Sequence, residues 1–141
     1  MSEEARRIVD LLGLAPHPEG GWYRETWRAP GEGRGRATAI YFLLEAGQRS
    51  HWHRVDAEEL WLFHAGHPLT LSLAADAAGP VEPIRVGPDP LAGHRPQAIV
   101  PTGWWQAAEA GSGWCLVSCV VSPGFRFDGF ELAPPDWRPG I

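Results

Sequence analysis

Ser50-His51-Trp52-His53-Arg54-Val55-Asp56-Ala57-Glu58-Glu59-Leu60-Trp61 reads as a strand, a tight turn and a second strand. Side chains alternate along a strand, so His51 and His53 point the same way. A turn centred near Asp56 sets Glu59 opposite His53 and Trp61 opposite His51, and all four then share one face. With Glu58 as the partner, Trp61 and Glu59 would fall together on the other face. The first register predicts a concave polar site walled by an aromatic ring.

The rest of the chain repeats this strand character. Leu69, Leu71 and Leu73 alternate with Thr70 and Ser72, the pattern of a strand with one face on a core. Further strands are expected near residues 22–28, 37–44, 59–65, 81–86, 97–100, 104–108, 113–121 and 130–132. Only the start reads as helix: Ser2 can cap, Glu3 and Glu4 suit the first turn, and Ile8, Leu11 and Leu12 form an apolar stripe ending at Gly13. Short strands broken by 17 Gly and 14 Pro predict an all-β fold, a sandwich or a closed barrel. Residues 50–66 and 97–121 look like a pair of hairpins, as in a jelly roll built by doubling. Gly31-x-Gly33-x-Gly35 lacks the lysine and helix of a phosphate loop and reads as a hairpin tip carrying Arg34 and Arg36.

A length of 141 residues suits a single domain, with residues 1–13 as helix and 14–141 as β-structure. The net charge is −5, and all 12 basic residues are scattered arginines, so no basic stripe exists for nucleic acid. Apolar runs such as Ala39 to Leu44 are too short for a membrane span, and Ser2-Glu3-Glu4 carries no secretion signal. Cys115 and Cys119 would stand roughly 13 Å apart on one strand, too far to bridge. Two buried thiols in a reducing compartment, the cytoplasm, are expected.

Gly47, His51, His53, Glu59 and Gly66 resemble the first motif of the cupin superfamily. Pro101-Thr102-Gly103-Trp104-Trp105-Gln106 resembles the second, with glutamine in place of histidine. Four further segments extend the likeness over most of the chain: His17-Pro18-Glu19-Gly20-Gly21, Tyr23-Arg24-Glu25-Thr26, Pro96-Gln97 through Pro101, and Ser122-Pro123-Gly124-Phe125. Together they resemble the small cupin 5 family, DUF985. The resemblance implies a double-stranded β-helix, the RmlC-like jelly-roll cupin barrel, behind a short N-terminal helix. It also implies a homodimer and a cavity like that of sugar-nucleotide epimerases, but assigns no reaction.

Two departures shape the chemistry. The interval from His53 to Glu59 is one residue longer than usual, although Glu59 keeps the spacing to Gly66 and the histidine face. Gln106 offers an amide oxygen where imidazole would be a better metal donor. His51, His53, Glu59 and Gln106 could hold a divalent ion (Zn, Fe, Mn or Ni) as a metal-dependent lyase, isomerase or dioxygenase. Without metal, His53 or His51 serves as general base with Glu59 or Tyr23 as acid, in an epimerase or isomerase of a small polar or sugar- or nucleotide-like molecule. A non-catalytic binding protein would use the same groups. Trp61, Gln106, Trp104 and Phe63 are the candidate ligand walls, although strand aromatics are often plain core. Glu19 or Arg24 would close the mouth, an arginine there favouring an anionic ligand. His64, His67 and His94 are read as structural.

Overall fold

The computed structural model describes residues 1–141. Helix α1 spans Glu3–Leu12. Ser2 Oγ accepts from the Ala5 N–H at 3.1 Å, and Gly13 ends the helix in the left-handed region at φ 67°. Ala5 and Val9 bury against Leu14 and Leu43, with Ile8 and Leu12 beside them. Leu11 departs from the predicted stripe and is 76% exposed. Arg24 Nη1 donates to the Leu12 carbonyl, so this arginine caps a helix end and does not close a mouth.

Eleven strands follow. They are β1 (Ala15–Pro16), β2 (Trp22–Arg28), β3 (Thr38–Leu44), β4 (Arg49–Val55), β5 (Glu58–Gly66), β6 (Leu69–Ala74), β7 (Glu82–Val86), β8 (Gln97–Val100), β9 (Trp105–Ala110), β10 (Cys115–Ser122) and β11 (Phe130–Leu132). They form two antiparallel sheets, in the orders β1-β2-β3-β10-β5-β8 and β11-β4-β9-β6-β7. One core lies between them. Phe42, Trp61, Val117 and Cys119 come from the first sheet, and Leu69, Leu71, Leu73 and Ala108 from the second. The alternating leucines are buried as expected.

The all-β class and the N-terminal helix match the expectation, but the closed jelly-roll barrel does not. No hydrogen-bonded ladder joins one sheet to the other, so each keeps two edges. Those edges include β1 and β11, of two and three residues, which are too short to carry a closing ladder.

The expected hairpin over residues 50–66 is also absent. β4 lies between β11 and β9, whereas β5 lies between β10 and β8 in the other sheet. The chain crosses between sheets at Asp56–Ala57, where Val55 and Ala57 pack with Val121 in a small corner cluster. Residues 97–121 are likewise not a hairpin, since β8 pairs with β5 and β9 with β4 and β6. Among strands that follow one another, β1–β2, β2–β3 and β6–β7 do pair. The Gly31–Gly35 tip joins β2 to β3, as the sequence predicts.

Candidate functional site

A cavity of about 640 Å³ opens between the sheets. Its polar floor comes from four places. His17 and Glu19 sit on the turn between β1 and β2, His53 on β4, Glu59 on β5 and Cys119 on β10. Tyr23, Ile40, Val55, Phe125, Phe127 and Phe130 make the apolar wall, and Arg28, Arg34 and Arg126 stand at the mouth.

The turn 17–21 is pressed against β4. The His51 N–H donates to the Glu19 carbonyl at 2.8 Å, and a Cβ on Gly20 would collide with the Arg49 carbonyl. Gly20 also has φ 106°, so only glycine brings the backbone this close. The approach puts the Glu19 carboxyl inside, where Ser50 Oγ–H donates to Oε2. His17 Nδ1 lies 3.4 Å from the Glu19 carboxyl, and His53 Nε2 lies 3.5 Å from it on the other side.

Each imidazole has a fixed tautomer. His53 Nδ1–H donates to the His51 carbonyl at 2.7 Å, which leaves a lone pair on Nε2. His17 Nδ1 accepts from the Glu19 N–H at 3.1 Å, which leaves the proton on Nε2. Burial, with His53 nearby, holds the His17 ring down at about 4, and burial likewise lowers His53. Burial pushes Glu19 up to about 8 against the Ser50 hydrogen bond, and Glu59 up to about 7. Near neutrality the floor is therefore two neutral rings beside a largely protonated acid.

Glu59 is buried and Glu58 exposed, so the acid on the site side is the predicted one. A chain of bonds spans the sheets behind it. Trp61 Nε1–H donates to Gln106 Oε1 at 2.9 Å, and Gln106 Nε2–H donates to Glu59 Oε1 at 2.8 Å. Trp61 is thus core and lies off the cavity lining, as do Phe63 and Trp104, which pack against the core from partly buried positions. Trp105 lies on the opposite face from Gln106, packed with Trp52, Trp137 and Arg54.

His51 does not join His53. A bulge between Ser50 and His53 adds one residue to β4, so Ser50 and His53 share the inner face. His51 Nε2 instead donates to the Pro134 carbonyl at 2.9 Å. His64 bonds Ser118 and His94 accepts from the Asp89 N–H, in keeping with structural roles. Sequence reasoning gave no role to His17, Ser50, Cys119 or the phenylalanines of 125–130. The His17–Gly21 turn with its paired glycines was the signal available for His17.

The family of the cupin superfamily described as Cupin_5 (DUF985) matches residues 6–133. The chain belongs to this family. A Shewanella oneidensis protein is 41% identical to this Cupin_5 chain, with TM-score 0.85, covering 92% of this chain and 84% of its own. A hypothetical protein from Leishmania major is 33% identical, with TM-score 0.84, covering 92% and 86%. Oxalate decarboxylase from Bacillus subtilis is 15% identical, with TM-score 0.65 over 83% of this chain and 29% of that one, a likeness of fold alone. No curated protein matches.

The expected metal set does not fit this Cupin_5 protein. His51 points away, and the Gln106 oxygen already accepts from Trp61. No group of three or more His, Cys, Asp or Glu side chains converges on a point that would hold an ion. The set His51, His53, Glu59 and Gln106 is therefore corrected to a hydrogen-bonded floor built on His17, Glu19, His53 and Glu59. None of the helices is long and apolar enough to cross a membrane.

Proposed function

We propose that this Cupin_5 protein binds a small polar organic molecule between its sheets and moves a proton at a carbon beside a carbonyl, as an isomerase or epimerase. The observation that carries the reading is the His53 ring, pinned through Nδ1–H to its own strand, with Nε2 directed at Glu19 inside the cavity. A neutral, oriented imidazole is a competent general base near pH 7. His53 Nε2 takes the proton, the C–H pair forms the new C=C bond, and the carbonyl pair moves to oxygen. Reprotonation on either face returns the proton, so no oxidant or reductant enters.

Glu19 is better placed as the acid than Tyr23 or Glu59. It stands between both rings and is largely protonated, whereas Glu59 is engaged by Gln106 and Cys119. Tyr23 packs edge-on to His17 with centroids 4.4 Å apart and supports that ring. The aromatic wall of Tyr23, Phe125, Phe127 and Phe130 suits the flat face of a sugar ring or base. Two buried free cysteines support a reducing, cytoplasmic setting. The homodimer is supported by exposed apolar side chains on edge-side strands, Trp27 and Ile99, and sedimentation at micromolar protein would test it.

The test is solvent exchange. In deuterium oxide, carbon-bound hydrogen in a panel of keto-sugars should be lost faster with protein than with buffer. His53→Gln should slow this by roughly 10²–10⁴-fold, the range of general-base catalysis. A sugar that binds one-to-one and is recovered with its hydrogens intact would make the protein a binding module instead.

A further inference from the structure

His17 supplies the half of the site that the base alone lacks. Enolisation needs an electrophile at the carbonyl oxygen as much as a base at carbon, and the Glu19 acid, bonded to Ser50 and set between the two rings, is one candidate beside His17. The chain contains no lysine, so a side-chain imine is closed to it. The arginines stay at the mouth. Arg28 is bonded to Glu25 and to the Arg34 and Phe125 carbonyls, Arg34 to Asp56 and Gly124, and Arg126 to Asp56 and Asp128.

What the floor does hold is one free N–H. His17 Nδ1 is occupied by the Glu19 N–H, so the ring proton sits on Nε2. That atom makes no hydrogen bond within the chain, yet no fully buried side-chain polar atom lacks a partner. Nε2 must therefore open to the cavity that His17 lines. His53 offers the complement, a lone pair on Nε2. The Glu19 carboxyl lies between the rings, 3.4 Å from His17 Nδ1 and 3.5 Å from His53 Nε2, so both rings belong to one floor.

The floor also sets a charge rule. Its ionisable groups are two imidazoles, the carboxyls of Glu19 and Glu59 and the Cys119 thiol, with no cation among them, and the arginines that line the same cavity are already bonded at its mouth. A carboxylate brought there would meet two carboxyls and no counter-charge, and would have to shed its hydration for nothing.

Resting on the proton-transfer reading above, we propose that His17 Nε2–H binds and polarises the reacting carbonyl oxygen, and that the reacting end is an uncharged aldehyde or ketone rather than a 2-oxo acid. A neutral imidazole donor of this kind stabilises an enolate without giving up its proton. His53 removes the α-hydrogen, the oxygen gains charge against His17, and the proton returns to carbon.

Hydroxyacetone and pyruvate serve as probes of one size and different charge, with deuterium incorporation read by proton NMR. The folded protein should accelerate exchange in hydroxyacetone at least tenfold more than in pyruvate. His17→Phe should lower the hydroxyacetone rate by roughly 100-fold, the cost of losing one such donor. His17→Gln, which keeps an N–H, should recover most of that loss, and thermal melts should show both variants folded. Long-range proton–nitrogen NMR of the unliganded protein should show the proton of His17 on Nε2 and that of His53 on Nδ1. Equal exchange of pyruvate, full activity in His17→Phe, or a His17 proton on Nδ1 would each overturn the inference while leaving His53 as base. A wild-type protein no faster than buffer on every probe would sink the proton-transfer reading itself, and this inference with it.

Discussion

At the floor of the cavity His17, Glu19, His53 and Glu59 are buried and lean on one another; at the mouth the exposed Asp56 is shared by the exposed Arg126 and the more buried Arg34. Burial dominates below. Imidazoles are pushed down, carboxyls are pushed up, and the groups settle as neutral donors and acceptors. Pairing dominates above. The hydrogen bond from Arg34 and the charges of both arginines hold Asp56 below the usual carboxylate range, so the ions persist. Burial depth and the supply of arginine partners together separate the two regimes, and they predict that mutations at the floor are costly while those at the exposed mouth are cheap.

The largest effect is expected where the floor is bolted to the core. Gln106→Ala removes both bonds of the Trp61–Gln106–Glu59 chain, leaving the indole N–H buried without a partner and the Glu59 carboxyl with Cys119 alone. A loss of about 3 kcal/mol in urea unfolding is expected. A cost under about 1 kcal/mol would mean that water or another side chain replaces the amide.

The pH dependence follows from the same burial. Glu19 and Glu59 are raised from 4.5 to about 8 and about 7, so the folded protein binds extra protons and loses stability as pH rises toward those values. His17 and His53 are lowered from 6.5, His17 to about 4, so they contribute stability above 6.5 that is lost as pH falls. Between pH 4.5 and 6.5 the slopes oppose each other, so stability should change less there than at higher pH. From 6.5 to 8 only the carboxyls act, and a fall on the order of 2 kcal/mol is expected. Glu19→Gln should flatten most of that fall; an unchanged alkaline slope would place the titration elsewhere.

The smallest effect belongs to the mouth. Arg126 is 51% exposed and meets Asp56 and Asp128 at 3.3 Å. Arg126→Ala should change stability by less than about 0.5 kcal/mol, and by less still in high salt. A loss above about 1 kcal/mol would erase the contrast between floor and mouth.

Much of this molecule was legible as sequence because alternation and turn residues are local signals. Leu69 to Leu73, the Ser2 cap and the Gly31–Gly35 tip needed no partner to be read. His53, Glu59 and Gln106 were also singled out, but they meet for a reason the alternation could not supply. A period of two tells which face a side chain takes, not which sheet its strand joins, and β4 and β5 join different ones. His51 failed because one inserted residue in β4 reverses parity, and nothing in Ser50-His51-Trp52 marks the bulge. Trp61 was placed on the correct inner face, yet its indole turned to Gln106 and left the wall to phenylalanines of a loop near the C-terminus. His17 was hidden for another reason: its chemistry depends on a backbone N–H two residues away.

The crossing at Asp56–Ala57 has a consequence for how the protein comes into being. His53 and Glu59 are six residues apart in the chain, yet each is held by neighbours fixed only after long stretches of chain have been closed: β4 by β9 and β11, β5 by β8 and β10. Loops of this length carry their entropy cost before their contacts form, which slows folding of β-rich topologies. During refolding the competence to bind should therefore arrive with the final closure of the sheets and not with the first strands, so that a partly folded chain has no partial site to misuse.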